Sequence, residues 1–180
     1  GKEPLNYGKA MRKNTALFYL ESPNSISFEL QDIRRITSIA RQNGIASILD
    51  NSYCSPLGQS PLKMGVDLVV HSASKYIGGH SDVVAGNLCG SRERIDRIFH
   101  NEYMTLGGIL PPHEAALLIR SLRTLPVRLE KISGTTRKVT AFLEKHRRIS
   151  RLIYPLAPSH PQHSLAKKQM KLGGGLFSVL

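Results

Sequence analysis

The stretch DLVVHSASKYIGGHSD, residues 67–82, decides how this chain folds. It opens on an apolar, β-prone run at residues 68–70, passes two serines, Ser72 and Ser74, and presents Lys75 just ahead of the pair Gly78-Gly79. A lysine carried out of a buried strand into a loop of small residues is suited to carbonyl chemistry. Burial favours the neutral amine, and the neutral amine is the nucleophile. Hydroxyls and loop N–H groups beside it suit a phosphate. The plainer alternative is an ordinary strand end with a solvated lysine.

Working upstream, IASILDNSYCSPLG (residues 45–58) holds a second apolar strand that closes on Asp50. Ligands of parallel α/β sheets sit beyond the carboxyl ends of the strands, so Asp50 and Lys75 are expected on one rim. A lysine and a carboxylate there meet the requirements of pyridoxal phosphate. The amine binds the aldehyde, and the carboxylate pairs with the pyridinium nitrogen and keeps it an electron sink. The alternative for Asp50 is a cap or turn residue. Further upstream, residues 15–22 read as a buried strand that ends in the turn-rich ESPNS, residues 21–25. Asp32 is placed to N-cap a helix with Ile33, Ile36, Ile39 and Ala40 inward, and Gly44 suits its C′ position. Strand, helix, strand is a βαβ unit with parallel strands and a right-handed crossover.

Composition bounds the alternatives. The chain has 180 residues, 41% hydrophobic and 21% charged, which is ordinary for a globular protein with a core. No apolar run reaches membrane-span length and no leader pattern stands out, so a cytoplasmic protein without membrane contact is expected. Cys54 and Cys89 lack metal or redox spacing and are expected as free thiols. The histidines, including His160 and His163, show no convincing ligand set, so no metal is expected. His71 and His80 are expected to be structural. The net charge of +12 is concentrated in residues 91–180, with 16 Lys/Arg against 6 Asp/Glu. It spreads along predicted helices as solvated faces, and no nucleic-acid binding is expected.

Downstream of the lysine loop, residues 83–90 read as a further strand and 92–101 as a helix with Ile95, Ile98 and Phe99 inward. Residues 113–125 form a helix burying Ala116, Leu117, Leu122 and Leu125, with Ile119 partly so. Pro126 kinks or restarts it, and residues 127–146 continue with Leu129, Ile132, Val139, Phe142 and Leu143 at helical spacing. A strand at 149–154, a helix at 164–170 and a final strand in LFSVL follow. Residues 1–14 lack periodicity and read as a connection. The fold expected is α/β with a mainly parallel sheet. Residues 1–110 belong to the large domain, 111–147 to a long kinked connecting helix and 148–180 to an incomplete small domain. A chain ending inside a strand reads as a fragment.

Four blocks carry a family resemblance: FYLESPNSISFELQDI (18–33), ILDNSYCSPLGQSPLKMGVDLVVHSASKYIGGHSDVVAG (48–86), LIRSLRTLPVRLE (118–130) and HPQHSLAKKQMKLGGGLFSV (160–179). The chain resembles the Cys/Met-metabolism, or transsulfuration, family of pyridoxal-phosphate enzymes. That family includes cystathionine γ-synthase, cystathionine β- and γ-lyases and methionine γ-lyase. The resemblance implies a large domain like that of the type I aspartate aminotransferase-like enzymes, followed by a smaller α+β domain. It implies that Lys75 holds the cofactor as an internal aldimine and shuttles protons, that Asp50 partners the pyridine nitrogen, and that Ser72 and Ser74 bind the phosphate. Family members commonly show Glu-Ser/Thr-Pro-x-Asn-Pro where this chain has Glu21-Ser22-Pro23-Asn24-Ser25-Ile26. The asparagine that contacts the cofactor's phenolic oxygen thus aligns with Ser25, as in bacterial cystathionine β-lyases, and Asn24 is the other candidate for that contact.

The family's Tyr-x-x-Arg pair, Ser-Gly-Met phosphate loop and ring-stacking tyrosine fall before the first block, and its carboxylate-binding arginine falls after Leu180. The resemblance implies a cytoplasmic homo-oligomer, a tetramer built from dimers, that acts on a small amino-acid substrate in cysteine and methionine metabolism. The expected activity is cleavage of a C–S bond in cystathionine or a related thioether. γ-Replacement by a synthase and a non-catalytic interaction module are the alternatives.

Overall fold

Alternating burial along three short strands builds the sheet that carries the site. In the computed structural model, which describes residues 3–180, β1 (Leu17–Glu21), β2 (Ala46–Asp50), β3 (Leu68–Ser72) and β4 (Gly86–Gly90) lie side by side in that order. The first three are parallel, with Glu21 opposite Asp50 and Asp50 opposite Val70. The fold is therefore the expected α/β arrangement with a mainly parallel sheet. β4 runs antiparallel to β3, from Ser72 opposite Gly86 to Leu68 opposite Gly90. A parallel return requires a crossover helix. Residues 73–85 carry only the lysine turn, so the chain reverses.

One face of the sheet presents Phe18, Leu20, Leu49 and Val69 to Ile33, Ile36 and Ala40 of α2 (Ile33–Gln42). Each of the larger side chains contributes roughly 1.5–3 kcal/mol when fully buried. α2 starts as the sequence predicts, with Asp32 Oδ1 accepting from Arg35 N at 3.2 Å. It stops at Gly44, which turns the chain at φ +65°. The segment before β1 differs from expectation. Residues 5–10 form a helix, α1 (Leu5–Ala10), whose Tyr7 packs with Met11 against this core and accepts from Gln31 Nε2 through its hydroxyl at 2.8 Å. One aromatic anchor outweighs the lack of periodicity. Gly1 and Lys2 lie outside the described residues.

After β2 come a short helix α3 (Ser55–Gly58) and a 3₁₀ turn, Pro61–Met64. After β4, α4 (Arg92–Ile98) is N-capped by Ser91 and runs into a π-helical turn, Phe99–Tyr103, and then α5 (Met104–Leu106). Ile95 and Ile98 are half-buried, but Phe99 is 45% exposed. The wider π turn takes it off the inward face and stacks it on Tyr103. The predicted kinked helix is two helices, α6 (Pro112–Leu122) and α7 (Leu125–Leu143), with Pro126 in the first turn of the second. Their buried faces also differ from expectation. Leu125 and Leu129 are buried, whereas Ala116, Ile119, Leu122, Val139 and Phe142 are exposed. The inward line of α7 continues as Ser133, Thr136 and Thr140. The two threonine hydroxyls return to Ile132 O and Thr136 O at 2.9 and 2.8 Å.

The remaining chain folds back onto the start. β5 (Leu152–Ile153) and β6 (Ser178–Val179) pair antiparallel, and α8 (His163–Gln169) lies between them in sequence. Two glutamines fasten this region to residues 30–33. Gln162 accepts from Leu30 N and donates to Leu30 O, both at 2.8 Å. Gln169 accepts from Ile33 N at 2.9 Å and donates to Gln31 O at 3.0 Å. Each side-chain amide thus acts as a short piece of backbone, satisfying one donor and one acceptor.

Candidate active site

The carboxyl ends of β2 and β3 gather the first group of side chains. Asp50 ends β2 and Ser72 ends β3, and the residue between them in the network is Ser52. Its N–H donates to Asp50 Oδ1 at 2.8 Å, and its hydroxyl accepts from Ser72 N at 2.6 Å. One serine therefore orients the carboxylate and ties it to the neighbouring strand end. Asn51 N donates to Val70 O at 2.9 Å, continuing the strand pairing one step past Asp50. Tyr19 lies on the same sheet face. Desolvation pushes its pKa up, and the Asp50 and Glu21 carboxylates push it further. Sequence reading passes over Tyr19. The signal was its place two residues before Glu21, the register partner of Asp50.

Beneath this rim, Asn51 and His71 are buried in contact. Asn51 Nδ2 donates to Ser55 O and Gln59 O and lies 3.3 Å from His71 Nε2. Burial lowers the His71 pKa, with the Asp50 charge opposing, so a neutral imidazole fills a structural place as expected. Cys54 is also buried, and burial raises its thiol pKa, which leaves it a packing residue.

Lys75 stands on a helical turn directly after β3. Lys75 N donates to Ser72 O, Gly78 N to Ala73 O and Gly79 N to Lys75 O, at 3.2, 2.7 and 2.7 Å. The lysine is exposed rather than buried, and it opens on a cavity of about 660 Å³ shared with Tyr76, Arg128 and Lys131. The turn projects beyond the sheet, so the burial of β3 does not extend to it. Ser74 Oγ accepts from Ala85 N at 2.9 Å and donates to Ala85 O at 3.3 Å, which still leaves it able to accept. Among the described residues Ser72 Oγ makes no hydrogen bond. Tyr76 is held from the other side, its hydroxyl accepting from Gly175 N at 2.6 Å.

Ser25 and Asn24 lie on the loop after β1, and like Asp50 and Ser72 they do not line the cavity that Lys75 opens on. Ser25 Oγ donates to Glu21 Oε1. Asn24 Oδ1 accepts from the N–H groups of Ile26, Ser27 and Phe28 at 3.1, 2.8 and 3.1 Å, so it organises its own loop. Sequence reading also misses Arg128, which it places on a solvated helix face. Its guanidinium instead reaches the backbone of the lysine turn. Among the described residues no group of three or more His, Cys, Asp or Glu is placed to hold a metal ion. An oriented carboxylate, a free hydroxyl and an accessible amine on one sheet end fit a pyridine aldehyde that bears an anionic group.

Comparison with known proteins gives the family. Residues 2–180 match the family model described as Cys/Met metabolism PLP-dependent enzyme. Cystathionine gamma-synthase 1, chloroplastic, of Arabidopsis thaliana is 42% identical over 163 residues, covering 91% of this chain and 29% of that protein. Cystathionine beta-lyase of Coxiella burnetii is 36% identical over 172 residues, covering 95% of this chain and 44% of that protein. The crystal structure of cystathionine gamma-lyase from Lactobacillus plantarum complexed with L-serine matches with a TM-score of 0.95 at 34% identity, over 99% of this chain and 47% of that one. The chain thus spans less than half the length of each.

Proposed function

We propose that this chain, which belongs to the Cys/Met metabolism family of PLP-dependent enzymes, is the cofactor-anchoring part of an enzyme that cleaves a C–S bond of cystathionine or a related thioether amino acid. The observation that carries the reading is the Ser52 link between Asp50 and Ser72, with the Lys75 turn following at once.

In this reading the Lys75 amine would hold the cofactor through its aldehyde and, when free, would take the proton from the substrate Cα. Asp50 would pair with the ring nitrogen, and the Ser72 and Ser74 hydroxyls would hold the phosphate. Ser25 would supply the contact to the phenolic oxygen, with Asn24 shaping the loop that carries it. Bound pyridoxal phosphate supplies the electron sink that makes the Cα proton removable. Cleavage at Cβ needs that one deprotonation, whereas γ-cleavage needs a second at Cβ. Residues 1–110 form the cofactor-binding part, 111–147 the connection and 148–180 the start of a small domain. The whole enzyme is a cytoplasmic tetramer built from dimers. γ-Replacement is the second reading, since a γ-synthase and γ-lyases match this chain at similar identity, 42% against 39–41%.

The test is product analysis after loading the protein with pyridoxal phosphate and supplying cystathionine. Pyruvate, homocysteine and ammonia indicate β-cleavage. 2-Oxobutyrate, cysteine and ammonia indicate γ-cleavage. Cystathionine formed when cysteine and an acylated homoserine are supplied in its place, with release of the acid, indicates replacement. Borohydride reduction followed by peptide mapping should place a pyridoxyl group on Lys75 and lose it in Lys75→Ala. Absence of that group from both this chain and a longer form sinks the enzymatic reading in favour of an interaction module.

A further inference from the structure

We infer that Arg128 is a positioning residue for Lys75, holding the carbonyl end of the lysine turn from α7 and so fixing where the amine stands. The inference rests on the reading of Lys75 as the reactive amine. After Lys75 the turn leaves the carbonyls of Tyr76 and Ile77 without a backbone N–H partner. Arg128 Nη1 donates to Tyr76 O at 2.7 Å, and Nη2 donates to Ile77 O at 3.3 Å and to Ser121 O at 3.1 Å. Its Nε donates to Thr124 Oγ1 at 3.1 Å, which aims the planar fork. One cation therefore bridges the lysine turn, the end of α6 and the start of α7. A lysine in its place has three donors on one atom and no fork, and cannot span these acceptors together.

Two neighbours complete the seat. His80 Nδ1 lies 2.8 Å from Gly78 O, the next carbonyl of the turn, and 3.4 Å from Ser121 Oγ. Gly79 adopts φ +75°, and a Cβ there would overlap the Arg128 guanidinium. Glycine at 79 and arginine at 128 are thus a matched pair, although 49 positions separate them in sequence. Two of the three carbonyls that Arg128 holds belong to the residues immediately after Lys75. Any loss of that grip lets the turn, and the amine with it, move relative to Asp50.

The experiment compares wild type, Arg128→Lys, Gly79→Ala and the control Arg123→Lys. Without cofactor, hydrogen exchange at the Gly78 and Gly79 amides should quicken about tenfold in Arg128→Lys, as loss of a hydrogen bond to a charged group predicts. With a short pulse of pyridoxal phosphate and borohydride, labelling of Lys75 should fall by about the same factor relative to the other lysines. Gly79→Ala, which displaces the guanidinium while keeping Arg128, should reproduce both effects, and Arg123→Lys neither. Lys75 labelling in Arg128→Lys equal to wild type overturns the inference. If wild-type Lys75 takes no label, the reading of that lysine fails separately. The exchange measurement then decides whether Arg128 holds the turn, with unchanged exchange refuting it.

Discussion

Replacing Gly79 with alanine should cost far more in the presence of Arg128 than in its absence. Two terms contribute. A non-glycine residue at φ +75° bears about 1–2 kcal/mol of left-handed strain whatever surrounds it. The new methyl group also occupies the place of the guanidinium, whose bond to Tyr76 O is the shortest of its set at 2.7 Å. A hydrogen bond to a charged group contributes about 1.5–3 kcal/mol, and partial exposure of Arg128 favours the lower end. Gly79→Ala should therefore destabilise the wild type by roughly 2.5–4 kcal/mol. In an Arg128→Ala background only the strain remains, about 1–2 kcal/mol. Urea unfolding of the four proteins closes the cycle, and the double variant should be about 1.5 kcal/mol more stable than the sum of the single losses predicts. Equal costs of Gly79→Ala in the two backgrounds, within about 0.5 kcal/mol, would refute the contact.

Two further outcomes follow from the packing and the titrating groups. Gln169→Ala strips partners from Ile33 N and Gln31 O and should cost roughly 2–4 kcal/mol in urea unfolding, with Gln169→Glu intermediate; a loss below about 0.5 kcal/mol would show that the amide is dispensable. Burial lowers the pKa of His71 and His160, so the unfolded chain takes up protons first as pH falls below the ordinary histidine value of about 6.5. The stability these groups allow is intact above that pH and declines toward their lowered folded pKa values. The melting temperature should fall from pH 7.5 to 5, less steeply in His71→Gln, and a flat profile contradicts it.

Local chemistry was legible in the sequence. The Asp32 cap, Gly44 stop and alternating strands depend on neighbours a few residues away, and all three appear where the pattern puts them. Asp50 and Ser72 were readable for the same reason, since strand ends and sheet rims follow from order along the chain. Exposure was not. Val139 and Phe142 have helical spacing, yet α7 turns Ser133, Thr136 and Thr140 inward because its threonines satisfy themselves on the helix backbone. Lys75 was expected to be buried and is exposed, since the turn that carries it leaves the sheet. Arg128 could not be told from its basic neighbours, because its role depends on carbonyls 51 and 52 positions away.

The two glutamine clasps also set a timetable. The groups they join lie 132 to 138 residues apart, so a ribosome exposes Leu30 and Ile33 long before Gln162 and Gln169 exist. At about 5–20 residues per second the wait is roughly 7–30 s. During that interval the opening of α2 has only water to satisfy the N–H that Gln169 later takes. The β1–α2–β2 unit can therefore form early from its own contacts, while the loop that leads into it closes only once residues 162–169 have been made.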